Sequence, residues 1–76
     1  MKLSSVKGKL SAKKAIFFDV RPNPSDLSEW IIWIREQSGK SHLLVNEDES
    51  VVGSKDANSI LSLLKDLGVK NVNISL

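Results

Sequence analysis

The chain has 76 residues, no cysteine and a formal net charge of +2, with 41% hydrophobic and 26% charged residues. Those figures describe one small domain held by packing alone, which excludes a disulfide framework and a thiolate metal site and leaves little core for a buried cofactor. No apolar run approaches the roughly 20 residues that span a bilayer, so a soluble, cytoplasmic protein is expected.

The charge is unevenly placed. Lys2, Lys7, Lys9, Lys13 and Lys14 occupy the first 14 residues with no acid among them, while the remainder carries six Lys or Arg against nine Asp or Glu. A basic arm on an acidic body either binds polyanions or folds back on that body. Residues 3–9 read as a loose arm or an edge strand, although Val6 alone supports a strand and Gly8 weakens it.

Residues 15–20 (AIFFDV) are aromatic and β-branched and end at the turn residues Arg21-Pro22-Asn23-Pro24, which predicts a strand. A helix is then expected from Pro24. Asn23 caps it, Pro24 takes the first helical position and Asp26 complements the dipole. Leu27, Trp30, Ile31 and Ile34 follow at helical spacing, and Gly39 supplies a left-handed stop. Residues 42–45 predict a second strand, residues 46–50 an acidic turn or loop, and residues 51–53 a short strand candidate. Ser54 or Asp56 caps a further helix, with Ala57, Ile60, Leu61, Leu64 and Leu67 on one face. Gly68 stops it and Val69 folds back onto its last turn. Residues 71–76 alternate, putting Val72, Ile74 and Leu76 on one face of a final strand.

These elements predict an α+β fold: a two-layer α/β sandwich with two helices packed on one face of a three- to four-stranded mixed sheet. The order is ββαβαβ if residues 3–9 form the extra strand. It is βαββαβ, ferredoxin-like, if residues 51–53 do.

From Pro24 onward the chain resembles the soluble, periplasmic domain of the ExbD/TolR family, partners of the ion-driven motors that energise bacterial outer membranes. Residues 43–51 (LLVNEDESV) resemble that family's strand and acidic turn, and residues 60–72 (ILSLLKDLGVKNV) resemble its second helix, glycine stop and final strand. The resemblance implies a protein-binding domain of ββαβαβ order. The sequence has no membrane helix and so none of the family's membrane acid, and no functional residue is carried over.

Several residue groups invite chemistry. Gly39-Lys40-Ser41 ends like a P-loop, but Ile34 stands where the first glycine belongs and the order is helix then strand. Glu47, Asp48 and Glu49 lack the alternation of a calcium loop and read as a solvated turn, so neither a metal site nor a cofactor is expected. His42 is the only histidine and has no evident nucleophile partner. Asp19 is a lone acid on the wet face of its strand, and an enzymatic reading would rest on it or on His42 alone. Ile32 and Trp33 fall outside the apolar stripe of the expected helix and are candidate protein-interface residues. Lys2, Lys7, Lys9, Lys13 and Lys14 are candidate polyanion contacts. The expected function is therefore a small non-enzymatic protein-interaction module, binding a protein partner or itself through an exposed helix face or sheet edge. The alternative is a nucleic-acid accessory protein using its lysine-rich arm, for which Phe17 alone offers a stacking platform.

Overall fold

Two long strands dominate the computed structural model, which describes residues 1–75. β1 (Ile16–Asn23) follows from the aromatic and β-branched run that predicts it. β2 (Asp26–Glu36) replaces the helix expected from Pro24. Residues 30–34 (WIIWI) are five consecutive aromatic or β-branched side chains, which lose rotamer freedom in a helix and pack well on a pleated surface. A continuous apolar run satisfies helical and strand spacing alike, so periodicity does not discriminate there. What decides is the partner: Phe18 pairs with Ile34 and Val20 with Ile32 across an antiparallel ladder.

The expected helix ends serve turns instead. Asn23 Oδ1 accepts from Ser25 N at 2.9 Å, so the cap residue makes an Asx turn with Pro24 and Ser25 at the reversal. Gly39 is left-handed at φ +98°, but it closes the hairpin between β2 and β3 (Ser41–Leu43), with Gly39 N donating to Glu36 O at 2.9 Å. Near the first turn the register shifts: Pro22 pairs with Trp30 but Asn23 with Asp26, leaving residues 27–29 between the two pairs. Leu27 in that segment is 78% exposed.

β3 and β4 (Gly53–Ser54) follow one another along the same edge of β2, opposite residues 33–35 and 30–31. Between them the chain makes an excursion and returns. Val45 bridges Val51, Val52 N donates to Leu44 O at 3.2 Å, and Asn46 N donates to Ser50 O at 2.8 Å. Residues 46–50 are thus a closed turn, and residues 51–53 come back beside residues 43–45.

The N-terminal segment is neither a loose arm nor a strand beyond the single parallel bridge between Lys2 and Val45. It forms α1 (Leu3–Ser11), with Val6 at 0% exposure in the core. The helix has no cap from Lys2; the Glu47 carboxylate from the acidic turn accepts from Ser4 N at 2.7 Å and from Ser4 Oγ at 3.0 Å. A negative group at a helix N-terminus satisfies a free amide and complements the dipole. α2 (Ala57–Asp66) forms as expected, with Asp56 Oδ1 accepting from Asn58 N at 2.9 Å. At its end Gly68, at φ +90°, donates to Lys65 O and Val69 to Leu64 O, both at 3.0 Å, the paired bonds of a Schellman stop.

β5 (Asn73–Ile74) lies parallel to β1, opposite Asp19 and Val20, giving a five-stranded mixed sheet of order β3-β2-β1-β5 with β4 beside β2. The α+β class is as expected. The element order, αββββαβ, is neither of the two anticipated orders, because residues 24–36 contribute a strand and residues 3–11 a helix. Leu76, included in the expected final strand, lies outside the described residues.

The core lies on one side of the sheet. Phe18, Val20, Ile32 and Ile34 share it with Val6 of α1, Ile60 and Leu64 of α2, and Leu44 and Val52 of the edge segment. Even-numbered residues of β1 and β2 therefore meet the helices, and odd-numbered residues face away.

Candidate functional site

On that opposite face β1 presents Phe17, Asp19 and Arg21, and β2 presents Arg35, Trp33 and Ile31 directly across from them. β3 adds Ser41 beside Arg35 and Leu43 beside Trp33. Strand alternation alone selects this set, which mixes aromatic, cationic and one acidic side chain. The Arg35 guanidinium lies 4.9 Å from the centroid of the Phe17 ring, a cation–π contact. Phe17 remains 44% exposed. Trp33 is half-buried, diagonal to Phe17 across the ladder.

Among the described residues Asp19 is the one buried polar or charged residue, at 8% exposure. Its Oδ2 sits 3.8 Å from Arg21 Nη2 and 3.9 Å from Arg35 Nε. Both separations lie beyond hydrogen-bond reach, so the arginines balance its charge without occupying its lone pairs or their own N–H groups. Asp19, Arg21, Trp33, Arg35 and Ser41 line a pocket of about 260 Å³.

One end of the face is closed by Glu29. Asn23 Nδ2 donates to Glu29 Oε1 at 3.2 Å and holds it over Gly53. A Cβ at position 53 would stand 2.6 Å from Glu29 Oε1 and 3.1 Å from the Trp30 carbonyl, so a side chain there would push the Glu29 carboxylate from its place. Ile31, paired with Gly53, is buried there at 3% exposure.

The expected interface pair is divided. Ile32 is fully buried against the helices, whereas Trp33 points to the open face. On a strand adjacent residues face opposite ways, so the pair that a helix would have placed together at the surface does not exist as a surface feature. Trp33 keeps a surface position and Ile32 does not.

The lysines are likewise distributed. Lys2 sits at the bridge to Val45, Lys7 is exposed on α1, and Lys9 Nζ lies 3.4 Å from Glu36 Oε1. Lys13, at φ +55°, and Lys14 are exposed in the link into β1, at the end of the sheet that carries Phe17 and Arg35. The arm is thus folded onto the body.

His42 begins the second expected strand, and its Nε2 is buried 3.6 Å from Glu36 Oε2 without a hydrogen-bond partner. Partial burial opposes ionisation of Glu36, but Lys9 and His42 outweigh it and hold the carboxyl below the usual glutamate range. Hydrogen bonds from the Ser4 backbone and hydroxyl do the same for Glu47, helped by Lys2 and Lys7. Asp48 is held down by the Ser50 hydroxyl and amide. The acidic trio is therefore a hydrogen-bonded turn. Among the described residues no group of three or more His, Asp or Glu side chains is placed to hold a metal ion. Gly39-Lys40-Ser41 forms part of a hairpin and its following strand.

Arg21 and Arg35 were legible only as turn and helix residues. The signal that finds them is the period-two series Phe17-Asp19-Arg21 and Ile31-Trp33-Arg35, which emerges once residues 26–36 are read as a strand.

Among the described residues no helix is long and apolar enough to cross a membrane. No protein-family model, curated protein or solved structure matches this chain.

Proposed function

We propose that this chain is a non-enzymatic binding module whose open sheet face holds a single-stranded nucleic acid; a cytoplasmic location goes with that reading. The observation that carries it is the clustering of Phe17 and Trp33 with Arg21 and Arg35, the arginines 54% and 46% exposed at their side chains. Two aromatics on neighbouring strands suffice to stack two bases, as sheet-based RNA readers do. Diagonal cross-strand neighbours stand about 7–8 Å apart, within reach of one extended strand crossing both rings. Arginines with free N–H groups beside those rings suit phosphate oxygens, and Lys13 and Lys14 extend the positive rim.

Fluorescence anisotropy with a labelled, random-sequence DNA 10-mer tests this. Trp33→Ala is expected to weaken binding by about 1–3 kcal/mol, and a matched duplex is expected to bind less well than the single strand. Equal affinity in the wild type and in both Trp33→Ala and Phe17→Ala would sink the reading.

A protein-partner reading has its own support at a different place. β5 is a sheet edge with Ile74 53% exposed, and the nearby cleft of about 560 Å³ is lined by Arg21, Pro22, Pro24, Leu27 and Ser75. An added strand would pair with such an edge. Sedimentation velocity across a hundredfold concentration range distinguishes it: self-association abolished by Leu27→Ser and Ile74→Ser favours the edge.

A further inference from the structure

We infer that Asp19 reads the base stacked on Trp33, so that the open face prefers cytosine to thymine or uracil. This deepens the single-strand reading and rests on it.

Three observations converge. First, Asp19 is nearly buried in the middle of a face that mixes aromatic, cationic and aliphatic side chains, and among the described residues its carboxylate accepts no side-chain or backbone hydrogen bond. An ionised carboxylate offers about four acceptor positions, and here they stay open to a donor that approaches from the solvent side. Second, the ladder puts Asp19 directly across from Trp33, so a flat ring laid on the indole brings one edge over the carboxylate. Third, the pocket they share is about 260 Å³. That is smaller than the roughly 300–1,000 Å³ of drug-sized sites and suits one ring rather than a whole cofactor.

Chemistry then sets the preference. A carboxylate only accepts, and cytosine presents an N4 amino group that donates, whereas thymine and uracil present the O4 acceptor at that position. With the 4-position facing Asp19, cytosine gains a charge-assisted hydrogen bond, whereas thymine brings O4 against the carboxylate and must turn to offer its single N3–H instead. Arg21 and Arg35 on either side offset the acid's repulsion of the phosphates, so it reads the base without expelling the strand.

The test compares labelled dC8 and dT8 at one salt concentration by anisotropy, with the wild type, Asp19→Asn and Trp33→Ala. The wild type is expected to bind dC8 roughly tenfold more tightly than dT8, in line with one base-specific contact. Asparagine keeps the shape of aspartate but both donates and accepts, so Asp19→Asn should bring the two affinities together, mainly by improving dT8. Equal wild-type affinities for measurable binding to both oligomers overturn the inference while leaving the single-strand reading intact, and this arm needs no variant. A cytosine preference that survives in a folded Asp19→Asn overturns it too. Absence of binding to either oligomer overturns the single-strand reading itself, and the inference with it.

Discussion

Glu36 and Glu47 are the two glutamates that tie α1 to the rest of the molecule, one through Lys9 and the other through Ser4. Both have carboxyl pKa values lowered in the folded chain, by hydrogen bonds from Ser4 for Glu47 and by Lys9 and His42 against partial burial for Glu36. A depressed folded pKa means that the unfolded chain binds protons first as pH falls. The stabilisation is therefore complete above the ordinary glutamate value of about 4.3 and is lost as pH drops through the lower folded values. Thermal melts between pH 3 and 7 should show that acid loss, and Glu47→Gln should flatten it while lowering the midpoint at neutral pH. An unchanged profile would remove Glu47 from the cap of α1. The neighbours Ile32 and Trp33 make a second contrast. Ile32→Ala empties a fully buried site and should cost about 2–5 kcal/mol in urea unfolding, whereas Trp33→Ala should act chiefly on the ligand.

Among the elements, the β1–β2 ladder carries the core on one face and the candidate site on the other. Amides of residues 18–20 and 32–34 should exchange slowest with solvent, and those of β5, a two-residue strand paired on one side, among the fastest. Equal protection across the sheet would contradict this ranking. The elements readable from sequence are those whose signals are local: β1 before a proline turn, the acidic turn, and α2 between Asp56 and Gly68. β2 carries helix signals in its sequence because a cap residue, a proline and a left-handed glycine mark a hairpin as well as a helix, and because residues 30–34 are apolar without interruption. α1 has no strong local signal because it is made by the body. Its only fully buried side chain is Val6, and its cap comes from Glu47, 43 positions from Ser4. No window along the chain contains that partnership. The candidate site divides in the same way: Phe17, Asp19 and Trp33 stand out singly in the sequence, whereas Arg21 and Arg35 join them only when two strands set the residues in rows.

For the molecule as a whole, the sheet separates two kinds of surface. Helices and their acidic contacts hold one side, and exposed cation and aromatic groups gather on the other. The basic segment consequently supplies less free charge than its composition implies, since Lys9 pairs with Glu36 and Lys2 and Lys7 lie near enough to Glu47 to act on its carboxylate. Salt dependence should then report on the arginines of the open face. Each phosphate contact to a single strand contributes about −0.7 to the log–log slope of affinity against salt, so Arg21→Ala and Arg35→Ala should each reduce the slope by about that amount. A larger loss on replacing Lys2 and Lys7 would shift the electrostatic footprint to α1.

β3 and β4 run on in one direction along β2, so the excursion between them behaves as an insertion into a single edge strand. It also receives the Lys2 bridge and supplies the cap of α1. The helix is consequently fastened at its start to a side branch of the sheet, while Val6 anchors it in the shared core and Lys9 ties its end to Glu36. Joining Leu44 directly to Gly53 would keep the register along β2 but take Val52 out of the core and remove both fastenings at the start of α1, so it should loosen residues 1–14 and lower stability. One insertion in an edge strand thus braces the helix that closes the core.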